Sequence, residues 1–174
     1  MRLILDIETN GLLQELTEIH CIAVRDVDSD WSSLIVGHDD IKTWLHLASA
    51  LEHVYIGHNI FGFDNEAIKK IYQIDLTKSH RIEDTFILSQ LFYGDLAGWD
   101  FKHSVGIVEG FQTKNIGSHS LQAWGQRLKC YKGDYKGGFE EYNEEMGLYC
   151  QQDTLVTKEL YKYFESIVDE RINR

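Results

Sequence analysis

Hydrophobic and polar positions divide the chain into a first third rich in predicted strands and a remainder rich in predicted helices. Short apolar runs indicate strands at residues 2–8, 19–26, about 31–36 and 53–59. Apolar residues at helical spacing predict helices at about 39–51, 64–73, 118–128 and 144–171, and the stretch RIEDTF predicts a strand end running into a helix near Thr85. This order of elements favours an α/β fold in which helices flank a central mixed β-sheet.

Two carboxylates stand where the first strand ends. Asp6 and Glu8 are two residues apart in the stretch LILDIETNGLL, so they point to the same face of the strand as Ile4. Like charges this close repel each other, and an apolar neighbourhood strengthens the repulsion. The pair therefore calls for a compensating positive charge.

The last predicted helix places another carboxylate in its apolar stripe. Val156, Leu160, Phe164 and Ile167 recur in steps of four, four and three, and the same row extends back to Asp153 and then Tyr149. A buried, unpaired carboxylate is costly, so Asp153 must be paired, protonated or bound to a cation. A helix end that exposes Asp153 to water explains the helix pattern equally well.

Two further aspartates lie at predicted junctions between strands and helices. Asp64 follows the stretch GHNIFGF and Asp84 lies in RIEDTF, and each position is explained by a helix N-cap. Convergence of Asp6, Glu8, Asp64 and Asp153 in one cleft would instead make an all-oxygen site for Mg²⁺ or Mn²⁺. Two such cations about 4 Å apart are a standard device for cleaving phosphodiester bonds.

Length and composition are consistent with one domain that spans residues 1–174. Of its residues, 43% are hydrophobic, which is enough for a packed core. No apolar run reaches the length of about 18 residues that a membrane span needs, and no signal sequence begins the chain, so we expect a cytoplasmic protein without membrane contact. The formal net charge of −11 is opposite to the basic surface typical of nucleic-acid-binding proteins, so tight unaided binding of nucleic acid is not expected.

The cysteines carry no recognisable metal or redox motif. Cys21, Cys130 and Cys150 are widely spaced and odd in number, and we expect them to be ordinary reduced thiols.

Three short motifs resemble those of a known nuclease family. DIE near the N terminus, HNIFGFD in the middle and YCQQD near the end resemble the Exo I, Exo II and Exo III motifs of the DnaQ-like 3′→5′ exonucleases. The spacing from Tyr149 to Asp153 resembles that of the DEDDy branch. The longer stretches GSHSLQAWGQRLKCYKGDYKGGF and YNEEMGLYCQQDTLVTKEL resemble the exonuclease domain of podovirus-type family A DNA polymerases.

The resemblance implies a ribonuclease H-like fold and a site for two divalent cations, Mg²⁺ or Mn²⁺. Asp6, Glu8 and Asp153 would hold the first cation, Asp6 would bridge to the second, and Asp64 would hold the second largely through water. Tyr149 would orient the attacking water, because a phenol with a pKa near 10 is a poor base at neutral pH.

The same resemblance implies contacts to the substrate. Thr9, Asn10 and Leu12 are expected to line the pocket for the terminal nucleotide, and Asn59 to contact its sugar or phosphate, although a turn amide also explains Asn59. His58 is expected to be structural. The remaining histidines considered show no ligand spacing and are not expected to bind metal: His20, His103 and His119.

Lysines and tyrosines alternate in the stretch KCYKGDYKGG, residues 129–138. This alternation is typical of contact with single-stranded nucleic acid, and a solvated loop explains it as well.

The activity that the resemblance implies is removal of nucleoside 5′-monophosphates from DNA 3′ ends, with single strands preferred. A phage protein that proofreads or trims beside a separate DNA polymerase or another replication protein, in the host cytoplasm, fits this activity. The alternatives are an exoribonuclease on short RNA and a catalytically silent scaffold that binds a replication partner. The DxE pair together with Tyr149 and Asp153 argues against a ribonuclease H-type endonuclease.

Overall fold

A five-stranded mixed sheet forms the centre of the structure, a computed structural model that describes residues 1–172. The strands are β1 (Arg2–Thr9), β2 (Ile19–Asp26), β3 (Ser32–Val36), β4 (Val54–Gly57) and β5 (Arg81–Asp84), in the spatial order β3-β2-β1-β4-β5. The pairs β1–β2 and β2–β3 are antiparallel, whereas β1–β4 and β4–β5 are parallel. The predicted α/β fold with a mixed sheet is confirmed.

The helices occupy nearly all the predicted positions. They are α1 (His38–Ser49), α2 (Asp64–Tyr72), α3 (Thr85–Phe92), α4 (Leu96–His103), α5 (Leu121–Arg127) and α6 (Glu144–Ile172), with short 3₁₀ turns at Leu76–Lys78 and Thr113–Asn115. The helix predicted at 118–128 begins later, because Ser120 is its N-cap and accepts a hydrogen bond from the Ala123 amide. Helix α4 was not predicted. None of the helices within residues 1–172 is long and apolar enough to cross a membrane.

Alternate residues of β1 serve two different cores. Leu3, Leu5 and Ile7 pack in one cluster with residues of α1 and α2 such as Leu45 and Ile68. Ile4 points to the opposite face, where it packs with Val27, Ile56 and Tyr161, the last of which lies on α6. Asp6 and Glu8 share the strand parity of Ile4, so β1 presents both carboxylates on the side that α6 covers.

The apolar stripe of α6 fixes that helix against the rest of the fold. Val156, Leu160 and Phe164 are buried together with Trp124 of α5. Each fully buried side chain of this size stabilises the fold by about 1.5–3 kcal/mol, so the rotation of α6 about its axis is well determined. That rotation turns Asp153 inward and leaves it only 2% exposed, so the alternative of a solvent-exposed Asp153 is wrong.

A buried ion pair joins α4 to α5. Arg127 donates from Nε to Asp100 Oδ1 at 2.8 Å and from a terminal nitrogen to Oδ2 at 2.7 Å, and the Gly117 amide donates to Oδ2 at 2.8 Å. Although burial acts to raise the pKa of Asp100, these hydrogen bonds hold it below its usual value. The pair fixes the segment between the two helices, which leads into the cleft wall formed by Ser120 and Leu121.

Candidate active site

Four carboxylates from three separate elements converge beside an open cleft. Asp6 and Glu8 come from the end of β1, Asp64 from the first turn of α2, and Asp153 from the inner face of α6. The cleft has a volume of about 550 Å³, and Asp6, Asp153 and Tyr149 line it. Glu8, Asp64 and Asp153 are only 8%, 5% and 2% exposed, so these negative charges are withdrawn from water.

Burial, with a smaller contribution from mutual repulsion, raises the pKa values of this group. Burial, with the neighbouring carboxylate Asp153 as the next cause, raises the pKa of Glu8 to about 8. Burial likewise raises the pKa of Asp64 to about 7 and that of Asp153 to about 6, and it lifts the pKa of Asp6 well above its usual range with help from Asp153 and Asp64. The fully ionised cluster is therefore unfavourable unless cations enter it.

Asp64 does not cap the helix that it begins. The N-cap position of α2 is Phe63, which makes no side-chain cap hydrogen bond, and Asp64 lies in the first turn. The N-cap interpretation of Asp64 is therefore wrong. Another side chain, Asp84, holds the loop before α2, and the carboxylate of Asp64 is available to the carboxylate cluster.

Asp84 fixes that preceding loop. Its carboxylate accepts hydrogen bonds from the amides of Asn59 at 2.8 Å and Phe61 at 3.3 Å, and from Phe86 at 2.9 Å as the N-cap of α3. The cap interpretation of Asp84 is confirmed, and the same side chain also positions the loop that delivers Asp64. A Cβ at Gly62 would lie 2.4 Å from the Asn59 side-chain oxygen, so a larger residue there would displace that side chain.

Lys132 enters the cluster from the loop that precedes α6. Its Nζ lies 2.5 Å from Asp153 Oδ2 and 4.7 Å from the centre of the Tyr149 ring. Burial acts to lower the pKa of Lys132, but the negative charges of Asp153 and Asp6 together outweigh burial and hold this pKa above its usual value. Lys132 therefore stays positively charged. Sequence reasoning placed this lysine only among the lysine–tyrosine alternation, because its distance from the carboxylates depends on the loop path.

Tyr149 lies one turn before Asp153 on α6, half-buried at the cleft wall. Its ring centre is 5.8 Å from that of Tyr135, and Gly133 passes close to its edge. Burial raises the pKa of the phenol above its ordinary value, so the hydroxyl keeps its proton near neutral pH.

A second, more apolar cleft of about 310 Å³ adjoins Glu8. Thr9 and Leu12 line it together with Phe63 and Phe139, and Leu12 is 70% exposed. Asn10 lies outside this cleft: its side chain donates to Thr17 Oγ1 at 2.8 Å and accepts from the Thr17 and Glu18 amides.

The loop residues Asn59 and His58 lie at the edge of the main cleft. Asn59 is exposed, has a φ of 67°, and accepts the Gly62 and Phe63 amides at its carbonyl, so it is part of a turn as well as the cleft lining. His58 Nδ1 contacts Thr85 Oγ1 at 2.9 Å, and burial lowers the pKa of His58 to about 4. His20 bonds through Nε2 to the Phe139 carbonyl.

The donor set suits a hard divalent cation. All four carboxylates offer oxygen ligands, and Oδ1 of Asp153 is buried without a hydrogen-bond partner among the described residues. A buried carboxylate oxygen without a partner is costly, and a cation would satisfy it. Oxygen-rich sites of this kind are typical of Mg²⁺ and Mn²⁺.

Sequence comparison relates the chain to viral polymerases. No protein-family model matches it. It is 32% identical over 186 aligned residues to the DNA-directed DNA polymerase of Enterobacteria phage T3, and 31% identical over 182 residues to that of Escherichia phage T7. The alignments cover 91% and 89% of this chain but only 26% and 25% of the polymerases, so the chain spans about a quarter of their length.

Comparison of folds identifies nucleases. Brucella melitensis NrnC bound to pGG superposes with a TM-score of 0.64 at 14% identity, covering 98% of this chain and 74% of NrnC. The Mg²⁺-bound form of NrnC gives 0.63 at 13% identity with the same coverage. The zinc-bound form of an E. coli ExoI–ssDNA complex gives 0.52 at 11% identity, covering 93% of this chain and 42% of ExoI.

These comparisons agree with the geometry of the cleft. The fold neighbours share the ribonuclease H-like architecture that the motifs implied, and the sequence relatives cover nearly the whole chain. Tyr149 and Asp153 have the spacing of the DEDDy branch. The matches to the phage polymerases and to the folds of NrnC and ExoI support the resemblance of this chain's motifs to those of the DnaQ-like exonucleases.

Proposed function

We propose that the protein is a metal-dependent 3′→5′ exonuclease that releases nucleoside 5′-monophosphates from DNA 3′ ends. The observation that carries this proposal is the convergence of four carboxylates, three of them buried, beside an open cleft with Tyr149 on its wall. A scaffold without catalytic activity has no need for carboxylates whose pKa values burial and neighbouring charges raise, because neutral side chains would fold more stably.

The proposed mechanism assigns each side chain one task. Asp6, Glu8 and Asp153 would hold one divalent cation, and Asp6 and Asp64 would hold a second. When bound, such a pair activates water and stabilises the departing 3′ oxygen. Tyr149 holds that water by a hydrogen bond from its protonated phenol.

The apolar cleft next to Glu8 is the proposed binding site of the terminal nucleotide. Leu12, Phe63 and Phe139 offer surfaces on which a base can stack or pack without base-specific hydrogen bonds. Thr9 also lines this apolar cleft. Its hydroxyl donates to the Gly11 carbonyl at 2.8 Å, which fixes the loop that carries Leu12. Asn59, exposed at the edge of the main cleft, is the proposed contact to the sugar or phosphate.

Relatives support DNA as the substrate. The phage proteins that match 91% and 89% of the chain are DNA polymerases, and one fold neighbour was solved with single-stranded DNA. A net charge of −11 opposes unaided binding of a polyanion, so we infer that a DNA polymerase or another replication protein presents the 3′ end. Proofreading and end trimming both fit this arrangement.

A second candidate is an exonuclease of the same mechanism that acts on short RNA. The observation favouring it is the fold neighbour NrnC, whose complex with the dinucleotide pGG covers 98% of this chain. The two candidates differ in substrate alone.

The test is a cleavage time course on a 5′-labelled DNA strand and its RNA counterpart with Mg²⁺, Mn²⁺ or EDTA. A metal-dependent ladder that shortens DNA from its 3′ end, faster than RNA, supports the proposal. A ladder on RNA alone supports the second candidate.

The matched control is Asp6→Ala, which should abolish cleavage and leave the fold intact, because it also removes repulsion. Lack of degradation with either metal, even with a polymerase present, would overturn both candidates.

A further inference from the structure

A buried thiol lies inside the carboxylate cluster and has no task in the proposed mechanism. Cys150 Sγ is 3.4 Å from the Asp6 carbonyl oxygen and 3.5 Å from Asp6 Oδ2. Single ligand atoms of Asp6, Glu8 and Cys150 all lie within 4.8 Å of one another. The thiol comes from α6, one residue after Tyr149, and it is fully buried.

We propose that Asp6, Glu8 and Cys150 form a mixed oxygen–sulfur site that captures thiophilic divalent cations such as Zn²⁺ and Cd²⁺. This site overlaps the proposed Mg²⁺ site through Asp6 and Glu8, and to that extent it rests on the proposed function. It differs in its sulfur ligand and in the class of ion that it selects.

The distances suit tetrahedral coordination. An ion about 2.3 Å from sulfur and about 2.1 Å from a carboxylate oxygen, the usual Zn²⁺ bond lengths, would see the two atoms at an angle of about 105° when they are 3.5 Å apart. This is close to the tetrahedral angle, so Cys150 and Asp6 need little movement to share one ion.

A further carboxylate lies on the same helix. Asp153 is 2% exposed, its Oδ1 has no hydrogen-bond partner among residues 1–172, and it lines the same cleft as Asp6. It lies outside the group of three ligand atoms that are within 4.8 Å of one another. Asp153 would therefore complete a tetrahedral set of four donors around Zn²⁺ only after its side chain moves toward the other three.

Ion selection follows from the sulfur. Mg²⁺ takes oxygen ligands in octahedral geometry and gains nothing from Cys150, whereas thiolate is a preferred ligand of Zn²⁺ and Cd²⁺. On binding, the Cys150 S–H bond breaks, a bond from sulfur to the ion forms, and the proton goes to solvent. No oxidation or reduction occurs.

The functional consequence is inhibition. An ion held by Cys150, Asp6 and Glu8 occupies two of the carboxylates proposed to hold Mg²⁺ and so excludes Mg²⁺ from them. Low Zn²⁺ or Cd²⁺ should therefore suppress Mg²⁺-dependent cleavage, and removal of the sulfur ligand should relieve that suppression.

The direct test is a Cd²⁺ titration of the metal-free chain, followed by the ultraviolet thiolate-to-cadmium charge-transfer absorption. The expected result is a band that saturates at one equivalent in the unaltered protein and that Zn²⁺ displaces. Cys150→Ala should lose the band, whereas Cys21→Ala and Cys130→Ala should keep it.

The two cysteine controls are matched to different questions. Cys21 lies in the same apolar cluster as Cys150, opposite Glu8 on the neighbouring strand, so Cys21→Ala tests whether a nearby thiol suffices. Cys130 is half-buried in the cluster around Trp124 and reports adventitious binding. Circular dichroism melting of each variant checks the fold, and Cys150→Ser repeats the test with a smaller change in polarity.

Absence of the band in the unaltered protein, or its persistence in folded Cys150→Ala and Cys150→Ser, would overturn the inference. Mn²⁺ binding by electron paramagnetic resonance separates the two proposals. Intact Mn²⁺ binding without a cadmium band refutes the sulfur site alone, whereas loss of both refutes the shared metal site.

Discussion

Without divalent cations, the fold should lose stability as the pH rises above 6.5. Burial raises the folded-state pKa values of Asp153, Asp64 and Glu8 to about 6, 7 and 8, well above their ordinary values. The folded protein therefore keeps protons that the unfolded chain has already released above about pH 5. Stability then falls as pH rises through the folded-state pKa values, because the unfolded state binds fewer protons.

The expected loss can be worked out from these pKa values. Each unit of difference corresponds to about 1.4 kcal/mol. Between pH 6.5 and 8.5, the remaining protons of Glu8 and Asp64 contribute about 2 and about 1 kcal/mol, a total of about 3 kcal/mol. A domain is typically stable by about 5–15 kcal/mol, so this is a large fraction. The window starts at 6.5 because His58, with its pKa lowered to about 4, acts in the opposite direction at lower pH.

The assay is urea unfolding followed by circular dichroism at pH 6.5, 7.5 and 8.5, in EDTA and in saturating Mg²⁺. The free energy of unfolding should fall with pH in EDTA and stay nearly level in Mg²⁺, since the bound cation keeps the carboxylates ionised in the folded state. Glu8→Gln is the matched control and should remove about 2 kcal/mol of the loss. A level or rising profile in EDTA would refute the reasoning.

Three further substitutions test individual contacts. Tyr149→Phe should slow cleavage by about 100-fold or more while leaving Mn²⁺ affinity unchanged by calorimetry, and equal loss of both would contradict a water-positioning role. Lys132→Met should raise Mg²⁺ affinity in the same calorimetric measurement, because a cation must otherwise displace the ammonium from Asp153; weaker binding would show that Lys132 supports the metal site. Arg127→Met should lower the free energy of unfolding by about 3–5 kcal/mol in urea, because it leaves Asp100 buried without its partner, and an unchanged midpoint would contradict this.

Periodicity predicted the orientation of the carboxylates well. The two-residue alternation of β1 placed Asp6 and Glu8 on the face of Ile4, and the stripe of α6 placed Asp153 on its inner row. Both predictions depend on local backbone geometry, which the residue pattern reports directly.

Features that depend on contacts between distant parts of the chain were harder to predict from the sequence. Helix α4 has no clear apolar period, and its position depends on the Asp100–Arg127 ion pair, whose members are 27 residues apart. The position of Lys132 depends on the path of a glycine-rich loop. The contact between Cys150 and Asp6 depends on how α6 crosses β1. Convergence of the four carboxylates also requires the sheet order, so the family resemblance rather than periodicity pointed to it.

The most direct test of the central claim is release of mononucleotides from 3′-end-labelled single-stranded DNA in Mg²⁺, compared between the unaltered protein and Asp153→Asn. Labelled nucleoside 5′-monophosphate is expected as the first product of the unaltered protein, and none is expected from Asp153→Asn, even though this variant should unfold at equal or higher urea in EDTA. Equal release by both proteins, or internal fragments as first products, would contradict the central claim.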